Sequence, residues 1–191
     1  MSDPRNVAIV AVKELRDAVR NRWFLLYAGI FTVLSVALSF LSSLGAAAYG
    51  QVGYGRTAAV LVNLVALIVP LMALNVGAAS IAAERERGTL AYLLAQPLDR
   101  GELLLGKFIG LSIALAAALA GGFGVSAAAL AIAGARGDAG SFGTLVALSM
   151  VLALAMLAVG LLVSSLAPRA SVAAGVSVAL WLTFVLLTDL G

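Results

Sequence analysis

Cysteine and histidine are both absent from the 191 residues, and charge is scarce: nine acidic and twelve basic side chains make up 11% of the chain. Without a thiol or an imidazole the chain forms no disulfide, activates no cysteine nucleophile, runs no histidine acid–base chemistry and holds no zinc, haem or iron–sulfur cluster through those ligands. Apolar residues fill the space that charge leaves. They account for 63% of the sequence, and the mean hydropathy is +1.11. That is not the composition of a water-soluble domain. Marking every Asp, Glu, Lys and Arg leaves five long charge-free intervals, 23–55, 57–83, 108–135, 139–168 and 170–188. Each holds a transmembrane helix of roughly 20 residues, and five such helices use about 100 residues. The expectation is one all-α integral membrane domain over 1–191.

A formal charge of +3 and a pI near 9.7 do not point to nucleic acid, because the basic residues edge the apolar intervals, where membrane lipid headgroups lie. Arg5, Lys13, Arg16, Arg20 and Arg22 precede the first interval, Arg85, Arg87, Arg100 and Lys107 separate the second from the third, and Arg169 follows the fourth. Only Arg56 and Arg136 fall in the other loops. The positive-inside rule therefore places the N-terminus, the 84–107 segment and the 167–170 loop on the cytoplasmic side of a cell membrane, with the C-terminus outside after a fifth span. Ala46, Ala47 and Ala48 imitate a signal-peptide cleavage site. The apolar run from Trp23 to Leu44 is 22 residues, longer than the roughly 7 to 15 of a signal h-region, so it reads as a retained first span.

A separate helix is expected ahead of that span, over about 4–22. Asp3 suits an N-cap and Pro4 the first helical position, while Ala8, Val12, Leu15, Val19 and Trp23 recur at helical spacing opposite Lys13, Arg16, Asp17 and Arg20. Such a helix lies in the membrane interface with its basic face toward anionic headgroups. The alternative is that it simply prolongs the first span into water.

Spans are expected at about 23–44, 57–83, 104–133, 143–166 and 171–190. Glycines and tyrosines mark the first external loop, 45–56. In the second span Pro70 removes a backbone donor and should kink the helix. Asn63 and Asn75 are costly against lipid and are expected to face other helices or a translocation path. Gly106 and Gly110 form a GxxxG pair in the third span, a pattern of little specificity in a chain with 20 glycines. The short turn at Pro168 and Arg169 makes the fourth and fifth spans antiparallel neighbours.

The segment 84–103 carries the most local information. Glu84, Arg85, Glu86 and Arg87 mark a membrane boundary, Gly88 allows a sharp turn, and Thr89 to Ala95 reads as a short helix with Leu90, Leu93 and Leu94 on one side. Pro97 ends it, and Asp99 with Glu102 makes a capping box for the next span. Two readings follow from the residues: a helical elbow shaped to enter a groove of another protein, or an ordinary interhelical hairpin whose charges stop the helices sliding.

The run from Glu84 to Leu90, then Leu93-Leu94, Gln96-Pro97-Leu98, Arg100 and Leu105-Gly106-Lys107-Phe108, resembles the cytoplasmic signature of type-2 ABC transporter permeases. The opening, Ala11 to Asp17 followed by Arg20-Asn21-Arg22-Trp23, looks like that family's elbow helix. With Gly50-Gln51-Val52-Gly53 and the run Ala173-Ala174-Gly175 to Trp181, it is most similar to the NosY-type group, which serves copper-site maturation of nitrous oxide reductase. The resemblance implies a type-2 ABC exporter transmembrane domain, a homodimer of two permease copies, and a separate ABC ATPase subunit that holds the ATP and Mg, with no cofactor or metal in this chain and no catalytic residue. It implies ATPase coupling through Glu84, Arg85, Glu86, Gly88, Thr89, Leu90, Leu93 and Leu94, and an elbow helix using Lys13, Glu14, Arg16, Arg20, Arg22 and Trp23. Glu84 and Glu86 would pair with basic groups of the ATPase or with Arg20 and Arg22. The family has six spans with both termini cytoplasmic, so the expectation is a chain one helix short of that plan. Asp189 then marks a boundary or a buried pair.

The cargo is less legible. Met72, Met150 and Met156 fall in spans, and thioethers bind Cu(I), but dispersed methionines in apolar helices are ordinary packing. The NosY-type role therefore implies a sulfur species or mechanical work on a periplasmic copper-maturation protein. Alternatives are a drug or lipid exporter on the same scaffold and a passive membrane scaffold. An intramembrane enzyme is disfavoured, because Ser126, Ser149 and Ser177 have no His or Lys partner at depth.

Overall fold

The computed structural model describes residues 4–47, 54–89, 99–132 and 139–189. They form α1 (Pro4–Arg20), α2 (Arg22–Ala47), α3 (Tyr54–Glu86), α4 (Arg100–Ile132), α5 (Ala139–Leu166) and α6 (Ala170–Asp189). No strand occurs among the described residues. The helices α2 to α6 are all long and apolar enough to cross a membrane. The short helix expected at 89–95 falls almost wholly outside the described residues.

The chain breaks helix at Asn21, so α1 is not a prolongation of α2. Asn21 sits at the N-cap of α2, where its Oδ1 accepts from the backbone N–H of Trp23 at 3.0 Å, and its carbonyl accepts from Leu25 N–H. A side-chain amide at that position satisfies one of the orphan donors of a new helix. The start of α4 has its own cap: Glu102 Oε2 accepts from the backbone N–H of Asp99 at 3.3 Å, the returning half of a capping box.

At the centre is α3, in contact with α2, α4, α5 and α6, and its tightest neighbour is α5. Glycine makes that contact possible. A Cβ at Gly77 would stand 2.8 Å from the carbonyl oxygen of Leu157, and one at Gly160 would stand 2.7 Å from that of Leu74. Ser164 then reaches into the backbone of α3, donating to Ala78 O at 2.6 Å and accepting from the N–H groups of Ile81 and Ala82 at 3.0 and 2.9 Å. The two helices of the short 167–169 turn both rest on α3, and α6 meets α5 over a smaller surface.

Pro70 is buried inside α3, which runs through it as a single helix. One turn earlier Trp181 of α6 donates its indole N–H to the carbonyl of Leu67 at 2.7 Å. Farther from α1, three rings join α2, α4 and α5: Phe31 and Phe123 meet edge to face at 5.2 Å, and Phe123 and Phe142 at 6.0 Å. Such pairs add about 0.5–1.5 kcal/mol beyond the area they bury.

Candidate functional site

One end of the bundle gathers the start of α2, the end of α3, the start of α4 and the α5–α6 turn, with α1 laid against α4. The GxxxG pair is the seat of that helix. A Cβ at Gly106 would overlap Val10, and one at Gly110 would overlap the carbonyl oxygen of Ala11 and stand 2.8 Å from the Cβ of Glu14. Val10, Ala11, Glu14 and Ala18 are accordingly the buried face of α1, while Ile9, Val12, Val19 and Trp23 at the head of α2 are exposed. Three surfaces result on one helix: small residues against α4, an apolar row, and the cations Arg5, Arg16 and Arg20. This is the distribution of a helix lying between protein, lipid and water.

Seating α1 there brings four charges together. Lys107 of α4 is wholly buried, and its Nζ lies 2.7 Å from Glu14 Oε1 and 2.9 Å from Glu84 Oε1. Lys13 contacts the same two oxygens at 2.9 and 2.7 Å, and reaches Asp17 at 3.4 Å. Glu14 and Glu84 are 5% and 9% exposed, so each carboxylate is shared between two ammonium groups in a largely dry environment. Isolated charges there would be prohibitive; paired and hydrogen-bonded they are tolerable. For Lys13, burial works against the charged form, but the hydrogen bonds and fields of Glu84 and Glu14 outweigh it and hold the amine above its ordinary value. Asn6 adds a further tie from α1 to α4, donating to Glu102 at 3.2 Å.

The pairing differs from the sequence expectation. Glu84 is engaged inside the chain by Lys13 and Lys107, whereas Arg20 and Arg22 point to the surface. Lys107 is the residue that local reasoning missed as a site member. The signal was a single lysine inside the apolar run from Leu103 to Ile113, a placement that requires a partner.

Arg85 and Glu86 turn the other way, toward the α5–α6 turn. Arg85 donates Nη2 to Ser165 O at 2.9 Å and Nη1 to Ala167 O, the open carbonyls at the end of α5. Glu86 Oε2 accepts from the backbone N–H of Ala170, the first residue of α6, at 3.2 Å. A cation at a helix C-terminus and an anion at a helix N-terminus both match the helix dipole. Gly88 follows with φ of +73°, its N–H donating to Arg85 O at 3.1 Å, and Thr89 Oγ1 donates to Glu84 O. Leu90, Leu93 and Leu94 lie outside the described residues.

The remaining candidates are dispersed. Asn63 is exposed on α3, and no described helix covers it. Asn75 donates to Leu71 O and lines a cavity of about 310 Å³ with Asn21, Trp23 and Tyr27. Met72 is buried, and Met150 and Met156 flank the apolar core. Ser126 and Ser177 are buried, and Ser149 bonds the carbonyl of Leu145.

Comparison with known proteins agrees with this architecture. Residues 8–190 match the family model described as ABC-2 family transporter protein. The chain is 43% identical over 188 residues to the probable ABC transporter permease protein NosY of Pseudomonas aeruginosa, and 40% identical over 188 residues to the protein of the same description in Stutzerimonas stutzeri. Each alignment covers 95% of this chain and 67% of the relative.

Proposed function

The chain belongs to the ABC-2 family of transporter proteins, and we propose that, as a permease of that family, it forms with a second copy the membrane part of a transporter driven by a separate ATPase subunit. ATP and Mg are held by that subunit. The basic end of the bundle faces the cytoplasm of the inner membrane, and the 87–99 segment leaving it receives the force of the ATPase. The work done is transport, or mechanical action on a periplasmic partner, in maturing the copper sites of nitrous oxide reductase, the role of the NosY-type group.

One observation carries this reading. Three consecutive residues at the stem of that segment are tied to different parts of the bundle: Glu84 to α1 and α4 through Lys13 and Lys107, Arg85 to the end of α5, and Glu86 to the start of α6. A push on the segment is thus delivered to the bundle through short polar contacts, and not absorbed by a loose loop. Such a stem is what a membrane protein without a nucleotide site of its own requires.

Purification from native membranes tests the reading. Recovery with an ATPase subunit whose hydrolysis falls when Gly88 is replaced by Pro supports it. Recovery without any ATPase favours a passive scaffold. Recovery with an ATPase but no periplasmic partner, together with drug- or lipid-stimulated hydrolysis, favours an exporter.

A further inference from the structure

Two groups of helices are each built on backbone contact. In the first, α1 lies in the groove of Gly106 and Gly110 on α4. In the second, α3 meets α5 at Gly77 and Gly160, Ser164 binds the α3 backbone, and Arg85 and Glu86 fasten the α5–α6 turn. Direct contact between the groups is limited by comparison: α4 touches α3 over a small surface and α5 over a somewhat larger one, and α2 lies across both groups.

Along most of its length the seam is apolar and continuous with the core, but beside α1 it is unlike either interior. Near α1 it opens into a cleft of about 150 Å³, lined by Asp17 and Leu111 on one side and by Ser80 and Arg87 on the other. Glu84 Oε2 and Ser80 Oγ are buried at this cleft with no hydrogen-bond partner. Between α1, α3 and α4 the seam is spanned by charge: Glu84 of the second group is held by Lys13 and Lys107 of the first, with a longer contact of 3.4 Å from Lys107 to Ser80 O. At the other end of the bundle the Phe31–Phe123–Phe142 stack closes it with interlocked rings.

Close-packed interfaces resist displacement because every shift forfeits contacts or creates overlap. An ion pair beside a void is different. A carboxylate with a spare oxygen re-forms its bonds after a small displacement, and Lys13, whose side chain is 43% exposed, has room to follow. We propose that Glu84 and Lys107 are positioning residues of a joint: the α1–α4 group swings against the α3–α5–α6 group at this seam, with the aromatic stack as the fixed end. The 87–99 segment joins the last residue of α3 to the first of α4, so its two ends belong to different groups, and a force on it acts across the joint. That last step rests on the function proposed above; the joint itself does not.

The absence of native cysteine makes a direct test clean. Spin labels at Arg16→Cys and Arg169→Cys, both exposed, read the distance across the seam; labels at Arg16→Cys and Arg100→Cys read one within the first group. Labelled protomers are diluted with unlabelled ones in liposomes. In a Glu84→Gln background the cross-seam distribution should lose its single narrow distance while the within-group distribution stays as it was. Lys13→Gln, at a partly exposed position, provides the same reading if Glu84→Gln does not fold. Unchanged cross-seam distances in both variants, or equal broadening of both label pairs, overturns the joint. With the co-purified ATPase, ATP and vanadate should shift the cross-seam distance alone. A complex that hydrolyses ATP at a constant cross-seam distance overturns the step by which force on the 87–99 segment acts across the joint. Failure to find any ATPase defeats the functional reading, and the joint then stands or falls on the Glu84→Gln and Lys13→Gln distances.

Discussion

Lys107 Nζ lies 2.7 Å from Glu14 Oε1 with none of the lysine side chain exposed, so α1 is bound to α4 by a largely buried ion pair. Removing one partner of such a pair strands the other. Lys107→Met leaves two buried carboxylates sharing Lys13 alone, and a loss of about 3–5 kcal/mol is expected. Thermal unfolding of the detergent-solubilised protein measures it. Adding Glu14→Gln to the Lys107→Met variant should restore part of the loss, since it removes the excess carboxylate and leaves Glu84 paired with Lys13. A single Lys107→Met variant that melts with the wild type would refute the pairing.

The same helix is tested sterically at Gly110. A side chain there meets the backbone of Ala11, which cannot yield as a side-chain end can, whereas Gly121 and Gly124 on the same helix face open space. Overpacking costs typically about 1–3 kcal/mol, and here the cheapest relief is for α1 to leave its groove. With Ala11→Cys as reporter, Gly110→Leu should make the buried thiol react with a water-soluble maleimide, while Gly121→Leu should leave it protected. Equal protection in both would mean that α1 is not seated on the glycines.

How much of this is legible in the sequence depends on the distance along the chain between the partners. The five apolar helices and the capping box at Asp99 and Glu102 are local, and periodicity or a four-residue pattern reveals them. The elbow helix is visible as an amphipathic run, yet its separation from α2 hangs on one Asn side chain, and a continuous helix is the alternative that the pattern leaves open. Glu84 lies 71 positions from Lys13, and Glu14 lies 93 from Lys107. No local rule pairs such residues. The GxxxG pair is visible but mute, because small residues indicate that something approaches closely and not what does; the answer, α1, requires the fold.

Arg85 and Glu86 allow capping to be separated from charge. Glu86→Gln keeps an oxygen to accept from Ala170 N–H, whereas Glu86→Ala removes it; Arg85→Ala frees the carbonyls of Ser165 and Ala167. Loss of a helix-end partner of this kind costs about 0.3–1 kcal/mol when exposed, rising to about 2 kcal/mol when partly buried. Both alanine variants should therefore remain folded in the membrane. Their ATPase-linked transport should nonetheless fall by more than the change in folded protein explains, with Glu86→Gln close to wild type. Transport that merely tracks expression level in all three would reduce these residues to caps.

Gly88 separates backbone conformation from contact, because a Cβ at this position meets none of the described residues within 4 Å. Any penalty for substitution must come from φ, which at +73° is left-handed. For alanine that conformation costs about 1–2 kcal/mol, so Gly88→Ala should couple weakly but measurably, and asparagine, which tolerates the left-handed region, should do better than alanine. Proline is another matter. Its ring holds φ near −65°, and it has no N–H to donate to Arg85 O. The turn cannot form at all, and the segment beyond must leave α3 in a different direction. The expected order of ATPase-linked transport is Gly, Asn, Ala and then Pro at background, with membrane levels of all four similar. An order that instead followed side-chain volume would mean that contact, and not the left-handed turn, governs this position.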